Sequence, residues 1–353
     1  MAERTEQDRQ RTEQGRPLRP VESDFLPVTR NAVLQRDRVS AFVAECCARG
    51  IDSILFVGTG GSFASSVQAV ATLRSRLRVQ YVDNVMSAEV SAAPPLRVGE
   101  RTLVIASSHS GATPETVAAT ELLKSRGATI ISLSTSADSP LADLADLALT
   151  YGSERTITSP KQILLSHITW ALVEQLEGEA PDAARITAYD ALPEALRESI
   201  DESEETLAEI ARSVVGTPLV YVLGAGPNYG GAYLLSMCYL MEMQWMRSVS
   251  FYAGEFFHGA FEMVVPEVSV ITLLGEDPTR PVAERAASFA GKYSEHAHTL
   301  DTSRLTLRGV PAEMRGEVTP IVLGVLASRL AEHIEAVTGH SLDERRYMHR
   351  VEY

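Results

Sequence analysis

Short apolar runs alternate with amphipathic stretches along most of the chain. Runs of strand-like composition begin at Ser53 ("SILFVG"), Leu77 ("LRVQYVD"), Thr102 ("TLVIAS"), Thr129 ("TIISLS") and Asp146 ("DLALTY"). Each is short, apolar and partly β-branched, as buried strands are. Because helix-like stretches separate most of these runs, the pattern predicts a parallel sheet that helices cover on both faces.

One helix-like stretch is clearly amphipathic. "PETVAATELLKSRG", which begins at Pro114, places Val117, Leu122 and Leu123 on one side of a helix. Gly127 is suited to end that helix, because glycine readily adopts the left-handed conformation of a C-cap.

The same order of elements begins again in the second half of the chain. The segment from Pro218 ("PLVYVLGAGPNYGG") parallels the one from Ser53, since each contains a strand, a glycine-bearing turn and a helix. The run from Glu267 ("EVSVITLLG") parallels the one from Arg101. A charged helical stretch over residues 194–213 joins the two. The repeat predicts two related α/β halves.

The pattern divides the chain into four segments. Residues 1–24 carry many charges and no apolar period, so we expect a disordered or loosely held arm. The first half occupies residues 25–190 and the second half residues 191–340. Residues 341–353 form a C-terminal tail.

Composition narrows the classes of function. With 353 residues, 45% hydrophobic content and a formal net charge of -14, the chain is typical of a globular protein that repels nucleic acid and anionic membranes. No apolar run approaches the ~20 residues that cross a bilayer, and we expect a cytoplasmic protein. The spacing of Cys46, Cys47 and Cys238 predicts neither a disulfide nor a metal site. A small phosphorylated ligand remains compatible with the charge if local donors bind it.

The loop "SSHSGATPET" carries the first candidate chemistry. Ser108, Ser110 and Thr113 offer hydroxyls, and Gly111 lets the backbone approach a ligand. A helix that starts at Pro114 adds unpaired N–H groups, so the loop suits a phosphate monoester, with charge from helix dipoles rather than from a lysine. The alternative is that Ser110 or Thr113 simply caps the helix.

A second loop strengthens the phosphate interpretation. "GTGGSF", from Gly58, also follows a strand and brings Ser62 to a helix start. It is not a dinucleotide-binding fingerprint, because Phe63 stands where the last glycine is required. No Walker lysine accompanies it.

Several segments resemble the sugar isomerase (SIS) domain family, whose ligands are phosphosugars. The first half contributes "GTGGSF", "SSHSGATPET", "SPLADLAD" from Ser139 and "ERTITSPKQ" from Glu154. In the second half, "MEMQWMRSVSFYAGEFFHGAFE" from Met241 is similar to the isomerase half of glucosamine-6-phosphate synthase. It looks still more like the fructosamine-6-phosphate deglycases, which also read E-F-F-H-G and end similarly to "ERRYMHRVEY". The resemblance covers about residues 30–353.

The resemblance implies an α/β fold of two tandem SIS domains, each a doubly wound, flavodoxin-like parallel sheet flanked by helices. It assigns catalysis to Glu242 and His258, a supporting role to Glu255, His349 and Arg350, and closure of the active site to the tail. It implies no metal and no cofactor. Substrate and phosphate binding would fall to Gly60, Gly61, Ser62, Ser108, His109, Ser110, Gly111, Thr113, Ser159 and Lys161.

The implied reaction needs a carboxylate and a histidine. A fructosamine 6-phosphate carries its amine on C1, beside the C2 ketone. Its release requires ring opening, removal of a proton from C1, protonation of C2 and attack of water on the C1 imine. A carboxylate can carry the proton, and a histidine can act at the ring oxygen. Each candidate has a plainer alternative: Glu242 as a surface residue at a helix end, and His258 as a packing residue.

The chain departs from the synthase in three places. The synthase forms a Schiff base with a lysine near its C-terminus, whereas the matching stretch here offers His349 and Arg350, and arginine stays protonated. Ala260 stands where a proline is common. Only about 30 residues precede the first half, so we expect no glutaminase domain and disfavour ammonia-fed amination.

These features predict a fructosamine-6-phosphate deglycase that gives glucose 6-phosphate and a free amino acid. Another phosphosugar isomerase or an amino-sugar-phosphate deaminase remains an alternative. A non-catalytic phosphosugar-binding regulator is a third, against which the pair of Glu242 and His258 and the lack of a basic patch count.

We also expect a homodimer with shared active sites. In the synthase, the histidine that matches His258 reaches the active site from the neighbouring subunit. The apolar segment from Phe251 ("FYAGEFFHGAFEMVV") is hard to leave in water, which favours a partner that covers it. A two-fold dimer would place His258 of one chain beside Glu242 of the other.

Overall fold

The computed structural model describes residues 15–78, 80–348 and 350–352. These residues divide into two compact units. The first unit comprises residues 22–195 and 308–314, and the second unit comprises residues 196–307 with the described residues of 1–21 and 315–353. The first unit gives way to the second between residues 195 and 196, inside the helix Ala183–Val214. The sequence pattern predicts this boundary between residues 190 and 191.

Five parallel strands form the sheet of the first unit: β1 (Ser53–Gly58), β2 (Tyr81–Met86), β3 (Thr102–Ser107), β4 (Thr129–Ser134) and β5 (Leu147–Thr150). Their spatial order is β2-β1-β3-β4-β5. This is the doubly wound, flavodoxin-like order, which confirms the predicted fold class. The winding reverses between β1 and β3, and ligands of such sheets bind beyond the carboxyl ends of the strands at that reversal.

Helices complete the first unit. All six residues of β1 and of β3 are buried, as strands covered on both faces should be. The helices are Phe25–Leu34, Arg36–Ala48, Gly61–Arg76, Ser87–Ala92, Pro114–Ser125, Pro140–Leu144, Thr158–Glu177 and the start of Ala183–Val214.

Strand β2 begins later than the sequence pattern predicts. The pattern starts the strand at Leu77, but Leu77 ends the helix Gly61–Arg76, and its N–H bonds the carbonyl of Leu73 at 2.8 Å. The strand runs in register with β1, from the pair Ser53 and Tyr81 onwards. An apolar residue suits both a helix end and a strand start, so composition alone does not fix this boundary.

The helix Pro114–Ser125 shows one confirmed and one shifted prediction. Gly127 adopts φ +94°, its N–H bonds the carbonyl of Lys124 at 2.9 Å, and the next N–H bonds the carbonyl of Leu123 at 3.2 Å. These two bonds form the predicted glycine C-cap. The buried side is centred on Thr116, Ala119, Thr120 and Leu123, and Val117 and Leu122 are only half-buried.

The sheet of the second unit repeats the first with four parallel strands: β6 (Val220–Gly224), β7 (Ser248–Tyr252), β8 (Ser269–Leu274) and β9 (His296–Asp301). Their order is β7-β6-β8-β9, so β6 and β8 stand where β1 and β3 stand in the first sheet. The predicted repeat is therefore confirmed. Its helical segments are Tyr229–Tyr233, Leu234–Met243, Arg280–Tyr293, Arg315–Thr338 and the end of Ala183–Val214.

The phenylalanines after β7 are covered within the second unit. Phe256 is buried, and Phe256, Phe257 and Phe261 pack around Phe289 with ring centroids 5.6 to 6.0 Å from it. The expectation that these side chains need a partner to cover them is wrong, because α/β packing supplies Phe289 from the helix Arg280–Tyr293. Tyr252, Met263 and Val265 of the same segment stay exposed.

The N-terminal arm is only partly within the described residues. Residues 1–14 of the predicted arm lie outside them, whereas residues 15–24 are described and held in place. Arg19 forms ion pairs with Glu335 and with Asp343. Asp24 accepts a hydrogen bond of 2.6 Å from Ser153. Residues 15–24 thus differ from the expected loose arm, because distant partners that sequence spacing does not reveal hold their charges.

The structure also bears on membrane and metal binding. In the described part of the chain, no helix combines the length and the apolar character that a bilayer crossing needs. Nor do the described residues include a group of three or more His, Cys, Asp or Glu side chains suited to a metal ion. Cys46, Cys47 and Cys238 are not joined by a disulfide.

Candidate functional site

The loop after β1 is shaped by glycine at a helix start. Gly60 adopts φ +55° and occupies the N-cap position of the helix Gly61–Arg76. A Cβ on Gly58 would lie 3.0 Å from the Cβ of Ser62, so the turn is tight. Because Gly60 has no side chain, no capping group covers the start of the helix, where the dipole favours an anion.

The loop after β3 is held by its own hydroxyls. Ser108 Oγ lies 2.8 Å from Thr113 Oγ1 and accepts from the N–H of Gly111 at 3.1 Å. Ser110 Oγ accepts a hydrogen bond from the N–H of Ala112 at 3.2 Å. Gly111 adopts φ +68°, and a Cβ there would lie 2.3 Å from Ser139 Oγ. Only glycine fits this position without displacing Ser139.

The simple capping alternative does not describe this loop. Thr113 occupies the N-cap position of the helix Pro114–Ser125, but its side chain accepts no helix N–H and instead bonds Ser108. Ser110 bonds a loop amide rather than a helical one. The helix start therefore lacks a side-chain cap, which supports the anion interpretation.

Lys161 brings a positive charge to the loop after β1. Its side chain is only 3% exposed, and Nζ donates to Ser62 Oγ at 3.2 Å. A buried ammonium group is costly unless it is compensated, and a bound phosphate would compensate it. Ser159 is buried, and its Oγ lies 2.9 Å from that of Thr29, so its hydroxyl contributes to helix packing.

His109 pairs with a tyrosine that the sequence did not point to. His109 Nδ1 lies 2.9 Å from the hydroxyl of Tyr151, and Nε2 lies 3.5 Å from a carboxylate oxygen of Glu154. Burial lowers the pKa of His109, with Lys161 adding to the effect, and burial raises the pKa of Tyr151. At neutral pH both are uncharged. Because the carboxylate of Glu154 beside Nε2 can only accept, the arrangement favours an imidazole proton on Nε2 and donation from the Tyr151 hydroxyl to Nδ1.

The matching crevice of the second unit is filled by its own side chains. Asn228 donates from Nδ2 to Asp277 at 2.5 Å, and the hydroxyl of Thr279 donates to Asp277 at 2.5 Å. A Cβ on Gly226 would lie 2.6 Å from the Thr279 side chain. The loop after β8 thus carries the carboxylate of Asp277, whereas the loop after β3 carries hydroxyls. Phosphate recognition is therefore better suited to the first unit.

Glu242 lies near the end of a π-helix, Leu234–Met243. Such helices are rare and are frequently found at functional sites. Glu242 is not the freely solvated surface residue of the plainer alternative, because its side chain is 24% exposed and Oε1 accepts from Arg345 Nε at 2.9 Å. Arg345 also donates to the backbone carbonyls of Leu342 and Glu344 at 2.6 and 3.1 Å. The guanidinium thereby links the tail to Glu242.

A cavity of about 620 Å³ lies in the second unit, with Glu242 in its wall. The remaining lining residues come from the position before β6, from the stretch between the end of the π-helix and the start of β7, and from the tail: Leu219, Met241, Trp245, Met246, Arg247, Ser248, Val249, Arg345, Arg346, Tyr347 and Met348. Among the tail residues in this wall, Arg345 pairs with Glu242. Neither the cavity nor Arg345 was anticipated from the sequence.

His258 does not meet Glu242 within the chain. It ends the short helical turn Glu255–His258, is exposed, and is not among the described residues that line the cavity. Its exposure does not fit the alternative of a packing residue. Glu255 is exposed as well, and among the described side chains none forms a hydrogen bond or ion pair with it. Arg350 is exposed, and His349 lies outside the described residues.

Comparisons with known proteins agree with the motifs. The SIS domain family matches residues 49–176. The chain is 32% identical over 317 residues to fructosamine deglycase FrlB of Bacillus subtilis (strain 168), which covers 89% of this chain and 97% of that protein. It is 27% identical over 332 residues to fructoselysine 6-phosphate deglycase of Escherichia coli (strain K12), which covers 92% of this chain and 95% of that protein.

A solved structure extends the similarity to the whole fold. A crystal structure from Bacillus subtilis, named for a phosphosugar isomerase, matches this chain with a TM-score of 0.85 and 32% identity. The match covers 92% of this chain and 99% of that one.

Proposed function

Because this chain belongs to the SIS domain family, we propose that the enzyme is a fructosamine-6-phosphate deglycase. It would convert a fructosyl-amino acid 6-phosphate and water into glucose 6-phosphate and the free amino acid. The observation that carries the proposal is Glu242, which a tail arginine holds at the wall of a cavity. The names of the two similar deglycases support the choice of substrate.

Glu242 is the proposed base. The open-chain ketosamine loses a proton from C1 to Glu242, and the resulting enaminol gains a proton at C2. The product is an imine between C1 and the amino-acid nitrogen. Water adds to C1, the C–N bond breaks, and glucose 6-phosphate and the amino acid leave. His258 is the proposed acid and base at the ring oxygen, which must gain a proton when the ring opens.

The phosphate is proposed to bind the first unit. Both loops there follow strands at the winding reversal, and both precede helices that lack a side-chain cap. The proposed ligands are hydroxyls and amides of these loops, with Lys161 as the compensating charge. They are Gly60, Gly61, Ser62, Ser108, His109, Ser110, Gly111 and Thr113. Ser159 remains a proposed member although its hydroxyl bonds Thr29.

A homodimer with shared sites is proposed on new grounds. Met237 and Met241 on the π-helix and Val249 and Tyr252 on β7 are all exposed, and β7 is the edge of its sheet. An apolar surface beside an open edge strand is typical of an interface. His258 is absent from the cavity wall among the described residues, so a second copy would complete the site. Glu255 would orient the turn that carries His258, and the tail would close over the substrate.

The alternatives differ in their products. An amino-sugar-phosphate deaminase would release ammonia from glucosamine 6-phosphate, and a phosphosugar isomerase would interconvert glucose and fructose 6-phosphates. A regulator would bind a phosphosugar and turn nothing over. We propose a cytoplasmic enzyme with no metal, no redox cofactor and no nucleic-acid partner, because none of the steps above needs one.

Product analysis tests the function. The purified protein is incubated with fructosylvaline 6-phosphate, and glucose 6-phosphate and valine are quantified separately. Equal amounts of the two are expected. Ammonia from glucosamine 6-phosphate in parallel would favour the deaminase, and binding of the substrate without products would favour the regulator. Either result without glucose 6-phosphate contradicts the proposal.

A further inference from the structure

The cavity beside Glu242 has a largely apolar wall. Met241, Met246, Val249 and Leu219 contribute aliphatic surface. Its volume of about 620 Å³ falls within the usual range of small-molecule sites. A wall of this kind suits the uncharged part of an organic ligand, because burying a charge against it would cost free energy.

Two guanidinium groups interrupt the apolar wall. Arg247 and Arg346 both line the cavity, and in the described ranges no carboxylate forms an ion pair with either. Arg346 lies over the ring of Trp245, with its Cζ 4.3 Å from the ring centroid. Arg345, by contrast, is already engaged by Glu242. Two guanidinium groups without a carboxylate match one anionic group of a ligand, since their planar donors bind carboxylates well.

The residue beneath Arg346 is held in an unusual conformation. Trp245 adopts φ +53°, which is rare for a bulky side chain. The preceding Gln244 fixes it, since its Nε2 donates to the carbonyl of His340 at 2.8 Å and its Oε1 accepts from Thr338 at 2.8 Å. Backbone conformations of this kind cluster at ligand sites, where surrounding contacts maintain them. The ring of Trp245 thereby forms a fixed platform for Arg346.

We propose that this cavity binds the amino-acid part of the substrate. Arg247 and Arg346 bind its carboxylate, and the aliphatic wall takes an uncharged, apolar side chain. The inference rests on the proposed function, in which Glu242 faces C1 of the sugar. The amino-acid nitrogen is bonded to C1, so the amino-acid part begins one bond from the atom at Glu242, where the cavity also begins.

Two matched substrates test the inference. Fructosylvaline 6-phosphate and fructosylisobutylamine 6-phosphate share the sugar, the phosphate and the branched carbon chain, and differ only in the carboxylate. The wild-type enzyme should prefer the valine substrate in kcat/KM by about 10- to 100-fold, as expected for hydrogen bonds between charged groups. The double variant Arg247→Met, Arg346→Met should lose most of that preference and leave the isobutylamine substrate nearly unchanged.

The controls separate the possible causes. Arg304→Met removes an exposed arginine of the second unit that does not line the cavity, and should leave both substrates unchanged. The single variants, and Arg247→Lys, which keeps a charge but not the planar fork, provide substitutes if the double variant folds poorly.

Each outcome decides the question. Equal wild-type rates on the two substrates, or equal losses in the double variant, would overturn the inference and leave the deglycase function standing. Equal losses are expected if the arginines bind the phosphate or a second copy of the chain. Absence of glucose 6-phosphate from both substrates would overturn the proposed function, and the inference with it.

Discussion

Arg345 donates from Nε to Oε1 of Glu242 across 2.9 Å, joining residues that stand 103 positions apart in the chain. The same guanidinium is anchored by tail carbonyls. An arginine stays protonated, so this group forms no Schiff base with a substrate carbonyl. We therefore propose that Arg345 acts on the reaction by orienting Glu242.

Replacing Arg345 tests that role. Arg345→Met should lower kcat by about 10- to 100-fold, because a hydrogen bond between charged groups contributes ~1.5–3 kcal/mol. KM should change less, since Arg345 orients the base rather than binding substrate. Arg345→Lys restores the charge but not the fork, so partial recovery of kcat is expected. Steady-state kinetics of both variants check this, and a rise in KM at unchanged kcat would assign Arg345 to binding instead.

The phosphate loop gives a second prediction. Ser110→Ala with Thr113→Ala should raise KM for fructosylvaline 6-phosphate, because each hydrogen bond to a charged phosphate contributes ~1.5–3 kcal/mol. An unphosphorylated fructosamine, already a poor substrate, should change little. Kinetics on the two substrates check the prediction. Equal losses on both would mean that the loop, in which Thr113 bonds Ser108, only supports the fold.

The sequence was most informative about the sheets. Buried parallel strands read as apolar runs, and the turns after β1 and β3 depend on glycines whose left-handed conformations other residues disfavour, such as Gly60 and Gly111. The same apolar runs and glycine-bearing turns predicted that the α/β half occurs twice along the chain. The late start of β2 shows where composition stops being informative, because an apolar residue such as Leu77 suits a helix end and a strand start equally.

The missed site residues depend on contacts between distant positions. The tail has no apolar period, so nothing in its sequence indicates that Arg345 reaches Glu242. Tyr151 follows β5, yet it bonds His109 in the loop after β3, a strand that lies on the other side of β4. The π-helix at Glu242 has the composition of an ordinary helix, and the difference lies in its backbone hydrogen bonds, such as Gln244 N–H to the carbonyl of Tyr239 at 3.0 Å.

Stability should depend on pH through His167. Burial lowers the pKa of His167 to about 4, so the folded protein keeps it neutral while the unfolded chain binds a proton below pH ~6.5. Its contribution to stability is present above that value and is lost as the pH falls towards 4. Between about pH 7.5 and 5.5 this residue should reduce the free energy of unfolding by ~1.4 kcal/mol.

Denaturant unfolding of the wild type and of His167→Asn at both pH values checks this. Asparagine is neutral throughout, so the variant should lack the loss due to this residue. Both proteins carry the same carboxylates, so the effect of their titration on the free energy of unfolding cancels in the comparison. Parallel pH dependences would show that His167 does not titrate as its burial requires.

Shared active sites predict complementation between two inactive variants. Glu242→Gln and His258→Ala are mixed under conditions that exchange subunits. A mixed two-fold dimer contains one intact site, so recovery should approach about a quarter of wild-type activity when half of the dimers are mixed. Activity that stays at the variants' background after verified exchange, or a monomer in sedimentation, would place both residues within one chain.

The most direct test of the account is the turnover of Glu242→Gln. Glutamine keeps the shape and a hydrogen-bond acceptor but does not take up the C1 proton, so glucose 6-phosphate release should fall by ~10²–10⁴-fold, the usual effect of losing a general base. Substrate binding should persist by calorimetry. Glu267→Gln, an exposed glutamate of the same unit, is the matched control and should retain wild-type turnover. Near-normal release of glucose 6-phosphate by Glu242→Gln would contradict the assignment of the base, and with it the mechanism proposed for this protein.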